Sequence, residues 1–299
     1  MTLIAEASSA QLSCVGLDRR DPRSDPSAAY EAAKQAIYET IRDGKTGLNL
    51  EGYGLTELPE EITQLYDLDV GYSFNGCTRL TKLPIGFRSK RDVYLRDCTG
   101  LTTLPEDMSV GGCLWLTNCA GLTMLPGNLS VKRRLCLLGC TGLKAIGEGL
   151  HNYYELDAAG CEALSILPTN MSVYNLHLEG CVSLSTLPEG LSVPGELWMW
   201  GCEGLTTLPA NLSVGGGLHL QDCTSLTSLP ASLRVGGPLH LNGCTNLTSL
   251  PAGLSVGGDL NLEGCTSLTS LPDNLEIGGN LNLEGCTSLT SLPANFASR

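Results

Sequence analysis

The chain has 299 residues, of which 42% are apolar, 5% aromatic and 16% charged, with a net charge of −13. So little charge in a leucine- and glycine-rich chain excludes a disordered or coiled-coil protein, and the acidic balance argues against a nucleic-acid binder relying on its overall field. No stretch reaches the roughly 20 apolar residues of a membrane span. The opening MTLIAEASSA also lacks the basic and apolar regions of a Sec-type leader, so the expectation is a soluble, acidic, intracellular protein.

Residues 1–24 are polar, rich in Ser, Arg and Asp, and read as a flexible leader. Residues 25–44 read as a helical cap, with Asp25 at the N-cap, Pro26 at the first helical position and Gly44 as terminator. Tyr30, Ala33, Ile37 and Ile41 recur on one face, which should cover the open end of the first repeat. From residue 45 to 299 the chain repeats. Cys77, Cys98, Cys119, Cys140 and Cys161 are 21 residues apart, Cys181 follows after 20, and Cys202, Cys223, Cys244, Cys265 and Cys286 resume the step of 21. A disulfide framework would scatter its cysteines irregularly over a short chain, so these mark architecture. Cys14, Cys113 and Cys136 stand outside the series.

Late units such as LHLNGCTNLTSLPAGLSVGGD and LNLEGCTSLTSLPDNLEIGGN give L-x-L-x-x-C-x-x-L-x-x-L-P-x-x-L-x-V-x-G-x, the pattern of the cysteine-containing leucine-rich repeat. The L-x-L is a short strand with its leucines inward, and the cysteine is a small buried member of a ladder beneath it. Leu-Pro bars a helix on the return path, which should be extended or polyproline-like, and Gly-Gly turns the chain back. One unit cannot bury its own leucines, so stacking must build the core. About twelve units at roughly 4.8 Å per strand predict an α/β repeat solenoid, with a parallel concave sheet, an extended and turn-built convex side and an N-terminal helical cap. A short insertion is expected around Gly71–Asn75, the second unit being read with Asp69 between its strand positions. Asn295–Arg299 stop in mid-repeat, so either Phe296 begins a short cap or the natural protein continues.

LTELPEEITQLYDLDV after a helical cap resembles the repeats of bacterial type III secreted leucine-rich repeat effectors, some of which carry a C-terminal novel E3 ubiquitin ligase domain. The GC-x-x-L-x-x-LP units are equally similar to those of plant intracellular resistance receptors. The resemblance covers residues 27–299 and implies recognition of a protein partner. It also implies a secretion segment at the polar N-terminus, a place in the bacterial cytoplasm before secretion, and then the reducing host cytosol. Nothing maps onto a ligase catalytic loop, so the expectation is a non-enzymatic, effector-like interaction scaffold with no cofactor. The alternative is the substrate-recognition portion of an E3 ubiquitin ligase whose catalytic domain is absent from this chain.

Departures from the repeat mark candidate sites. The residue between the two strand leucines projects from the concave face and runs Asn49, Asp69, Tyr94, Trp115, Cys136, Asp157, His177, Trp198, His219, His240, Asn261, Asn282. The position after the second leucine adds Arg96, Leu138 and Trp200, so all three tryptophans and three of four histidines share one surface. Tryptophan, tyrosine and arginine anchor interfaces. A host protein is therefore expected on a stripe of Tyr94, Arg96, Trp115, Leu138, Asp157, His177, Trp198, Trp200 and His219. The competing reading is that the rings pack across strands and stiffen the sheet.

In the turns, Gly-Gly gives way to Arg88, Lys90 and Arg91, then to Lys132, Arg133 and Arg134, then to His151, Tyr153, Tyr154 and Tyr174. This basic and aromatic edge suits an acidic protein, a phosphate or a membrane headgroup, against the reading of a solvated rim. Nucleic acid is not expected, for want of a stacking platform. No metal site is expected on an open sheet without a closed cage, and no nucleophile–base pair or phosphate loop stands out. Cys136 is expected to face solvent as a candidate reactive thiol.

Overall fold

The computed structural model describes residues 21–148, 151–169 and 171–293, with the backbone alone for 151–153. The leader expected over 1–24 lies outside the described residues up to position 20, as does the cap expected at Phe296. Residues 21–24 form a turn held against the first repeat, the Pro22 carbonyl accepting from Gly54 N–H at 2.8 Å.

The expected helical cap, α1, spans Pro26–Asp43. The Asp25 carboxylate accepts from the N–H groups of Ser27 (2.8 Å) and Ala28 (3.1 Å), satisfying two of the donors a helix leaves unpaired at its start. Gly44 ends the helix in the left-handed conformation at φ 61°, its N–H returning to the Thr40 carbonyl. Ala29, Ala33 and Ile37 are fully buried, and Tyr30 and Ile41 pack partly against the core. An ion pair from Lys34 to Glu61 (2.9 Å) ties α1 to a 3-10 helix over Glu60–Leu68.

Beyond α1 the chain is a solenoid. Its concave wall is a 12-stranded sheet, all parallel, with strands in chain order from Gly47–Asn49 to Leu281–Asn282. Register runs straight down the core: Val93 pairs with Leu114, Leu114 with Leu135, Leu135 with Leu156, Leu197 with Leu218 and Leu218 with Leu239. The convex side carries two shorter parallel ladders of two-residue strands. One joins Arg88–Ser89, Ser109–Val110 and Ser130–Val131; the other has five strands from Ser192–Val193 to Glu276–Ile277. Between them the chain runs in two longer strands, His151–Asp157 and Ser172–His177, where a register shift absorbs the one short repeat. Most Leu-Pro steps open a tight turn, the proline carbonyl accepting from the N–H three residues on, as from Leu191 to Pro188 and Leu233 to Pro230.

The second unit differs from expectation. Its strand is Gly71–Ser73, with Tyr72 opposite Leu48, so Asp69 ends the 3-10 helix and is not a concave residue. Leu68-Asp69-Val70 and Tyr72-Ser73-Phe74 both alternate, but the two rings bury more surface and pack with Phe87 at 5.2–6.2 Å between centroids. The extra length is thus taken up by the 3-10 helix before the strand, not by an insertion around Gly71–Asn75.

The eleven periodic cysteines each donate a thiol hydrogen bond to a strand carbonyl of the preceding unit. Examples are Cys77 to Leu50 (3.2 Å), Cys140 to Leu116 (3.0 Å), Cys202 to Leu178 (3.1 Å) and Cys286 to Leu262 (3.0 Å). The side chain is therefore a linker between repeats as well as filling. No helix among the described residues is long and apolar enough to cross a membrane.

Candidate functional site

Alternation along each concave strand places three residues per repeat on the open face. The middle column carries the rings. Tyr94 and Trp115 stack at 6.2 Å and 7°. Further along, His177 lies on Trp198 at 4.0 Å, Trp198 on His219 at 5.6 Å and His219 on His240 at 5.1 Å, all within 17° of parallel. The rings follow the sheet as a pile, because adjacent parallel strands hold equivalent side chains about 4.8 Å apart.

The column before the first strand leucine escapes a reading confined to the other two, and it supplies the electrostatics. It contains Asp92, Arg134, Glu155 and Glu196. Tyr94 donates to Asp92 at 3.3 Å. Arg134 pairs with Asp157 (2.9 Å) and Glu155 (3.1 Å) and lies over the Trp115 ring at 5.1 Å, as Arg96 does at 4.7 Å. The Glu155 carboxylate also meets His177 Nε2 at 3.3 Å, while His177 Nδ1 meets Glu179 at 3.2 Å. Glu196 holds His219 Nε2 at 2.9 Å. The signal was present in the period of two: residues 134, 136 and 138 must share a face.

These contacts revise several expectations. Arg134 is a concave-face residue, not part of a turn edge. Cys136 is only 2% exposed, packed between Thr117 Oγ1 (3.5 Å) and Asp157 Oδ2 (3.6 Å), and burial raises its pKa, so it is no exposed thiol. Asp157 is also buried, its carboxylate occupied by Arg134 and the Ala159 N–H. Trp115 has two guanidinium groups over its ring and its Nε1 is buried without a partner. The stripe residues that stay exposed are Arg96, which lies over the Tyr94 and Trp115 rings, Leu138 at 42% and Trp200 at 51%.

Burial opposes charging of His177, but hydrogen bonding to Glu179 and the nearby charges of Glu179, Asp157 and Glu155 outweigh it and raise its pKa. His240 shifts the other way, lowered by burial and then by His219. For Glu196, burial is overcome by the Gly217 N–H and the His219 ring, which hold its pKa below the ordinary value.

On the rim, Lys90 donates to the Asp67 carbonyl (3.2 Å) and Arg91 pairs with Asp69 (2.8 Å), while Lys132 and Arg133 are exposed. Tyr154 and Tyr174 stack at 5.3 Å; the side chains of His151 and Tyr153 lie outside the described residues. A groove of about 600 Å³ brings Lys90, Arg91 and Arg133 beside Tyr94. Among the described residues, no group of three or more His, Cys, Asp or Glu could hold a metal ion.

No family model matches the chain, and no curated protein matches it. Among solved structures, the leucine-rich repeat domain of the type III effector XopL is similar at 19% identity, over 85% of this chain and 82% of that one, with a TM-score of 0.31. That likeness carries no argument about a partner or an activity. By its own twelve stacked parallel strands and cysteine-marked units, the chain is a leucine-rich repeat solenoid with an N-terminal helical cap.

Proposed function

We propose that the chain is a non-catalytic interaction scaffold of the effector type, which binds a host protein across the concave face between Arg96 and Trp200. The observation that carries this reading is the exposed column Arg96, Leu138, Trp200, separated by the smaller Thr117 and by Ala159 with Glu179. Five repeats part Arg96 from Trp200, about 24 Å at strand spacing, a span suited to a helix or loop of a partner. The rings beneath are already stacked, so Tyr94, Trp115, His177, Trp198 and His219 form a rigid floor and the three projecting side chains supply the anchors. A preformed surface loses little conformational freedom on binding, and a few aromatic and arginine side chains carry most of the affinity at such surfaces.

The test is co-isolation from host-cell lysate with wild type and with Arg96→Ala/Leu138→Ala/Trp200→Ala, whose exposed positions leave the core intact. Circular dichroism should show both folded alike. Loss of a wild-type partner in the triple variant is the expected result; retention of every partner by the variant, or none bound by wild type, refutes the reading.

A further inference from the structure

The rim where each return segment turns into its concave strand is bare over four successive late repeats: Gly215–Gly216, Gly236–Gly237, Gly257–Gly258 and Gly278–Gly279. A Cβ on Gly236 would run into the Gly215 carbonyl oxygen, and one on Gly257 into that of Gly236. Close approach of stacked units, not a left-handed turn, is what selects glycine here. Four of five consecutive earlier repeats break this rule: in order the rim carries Lys90 and Arg91, then bare Gly111–Gly112, then Lys132 and Arg133, then Tyr154, then Tyr174.

Three features of this stretch point the same way. Lys132 and Arg133 are exposed and enter no ion pair among the described residues, and Lys90 reaches a carbonyl and the Tyr66 ring without closing an ion pair among those residues. Tyr154 and Tyr174, 62% and 47% exposed, present a stacked apolar platform directly beyond the cations. The groove of about 600 Å³ that runs from the first repeats past Lys90 and Arg91 to Arg133 has Gly111 and Gly112 in its lining, so a ligand backbone can pass there. A rim kept only for solubility gains nothing from cations on a chain of net charge −13.

We propose that this rim binds an extended acidic peptide segment of a partner protein, lying along the stacking axis. Its carboxylates meet Lys90 and the Lys132–Arg133 pair, and an aromatic side chain or proline lies on the Tyr154–Tyr174 platform. Repeat spacing sets the register. Two repeats separate the cation pairs, about 10 Å, and a polyproline II segment advances about 3.1 Å per residue with three residues per turn, so two carboxylates three residues apart face the rim together. The platform begins one repeat further on, about 5 Å, which places the flat apolar residue two positions after the second carboxylate. The narrow line of cations fits a peptide better than a bilayer, whose recognition draws on clusters of roughly 4–8 basic residues.

Panning a library of short random peptides against the full chain tests this, with affinities of the enriched peptides then measured by fluorescence anisotropy. The expected winners carry two Asp or Glu three residues apart followed by an aromatic residue or proline, and bind more weakly as salt rises. Lys132→Glu/Arg133→Glu should weaken them about tenfold or more, and Tyr174→Ser severalfold, in chains verified as folded by circular dichroism. Arg96→Ala/Leu138→Ala/Trp200→Ala should bind them as wild type does, which separates this site from the concave one. Enrichment of no acidic peptide, equal binding by the charge-reversed variant, or preference for phosphatidylserine vesicles over the peptides overturns the proposal.

Discussion

Replacing Arg134 by alanine should destabilise the solenoid out of proportion to its partly exposed position. Its guanidinium is the shared partner of Asp157 and Glu155, whose side chains are only 10% and 19% exposed. Without it Asp157 retains the Ala159 N–H at 3.3 Å and a long thiol contact from Cys136 at 3.6 Å, and Glu155 retains His177 Nε2 at 3.3 Å, while the two carboxylates, on one face of the same strand, lose the guanidinium they share. Removing one member of a buried pair costs about 3–5 kcal/mol, and the contact over Trp115 adds about 0.5–1 kcal/mol. Arg134 itself is 32% exposed, so water enters the vacated space, and the lower end applies: about 3 kcal/mol in all. Urea unfolding followed by circular dichroism should be run on wild type, Arg134→Ala, Asp157→Asn and the double variant. If the stranded carboxylate is the source, the double variant should be about 2 kcal/mol more stable than the sum of the single losses implies. Simple additivity would show that Arg134 acts only through packing and would refute the argument.

His177 has a folded pKa above its ordinary 6.5, so its charged contacts stabilise fully below that value and are lost as pH rises through the folded one. The margin of wild type over His177→Gln in urea midpoint should therefore be larger at about pH 6 than at about pH 8; equal margins would mean the ring only packs. Gly236→Ala, which drives a Cβ into the Gly215 carbonyl, should cost about 1–3 kcal/mol, whereas Gly47→Ala, with open space at its Cβ, should be nearly silent in the same assay. Asp25→Ala should remove the cap of α1 and about 1 kcal/mol of stability, and Asp25→Ser should recover most of it.

The helical cap, the parallel concave sheet and the cysteine ladder were all legible in the sequence, because each follows from a short-range rule repeated many times. A cap, a period of two and a fixed spacing need no knowledge of what lies opposite. The second strand was misplaced because Leu68-Asp69-Val70 and Tyr72-Ser73-Phe74 satisfy the same alternation, and only the packing of Tyr72 and Phe74 with Phe87 decides between them. At the candidate site the rings of Tyr94, Trp115, Trp198 and His219 fell on the concave face where the strand pattern put them. Their freedom did not follow, since exposure depends on what neighbouring units send across: Arg134 and Arg96 lie over Trp115, and Thr117 and Asp157 flank Cys136. Arg134 was lost inside a run of three basic residues, although its place one before Leu135 puts it in the strand.

The thiol that links each unit to the one before it also reports when the two part. Burial pushes the Cys98, Cys202, Cys244 and Cys265 thiols up to about 12, so they stay uncharged and inert to alkylating reagents while their repeats remain stacked. Half-buried Cys286, at the last strand, is the first of the series to meet solvent. Pulse alkylation read out by peptide mass therefore maps the free energy of local opening along the solenoid axis at a resolution of one repeat, using probes that the chain already carries.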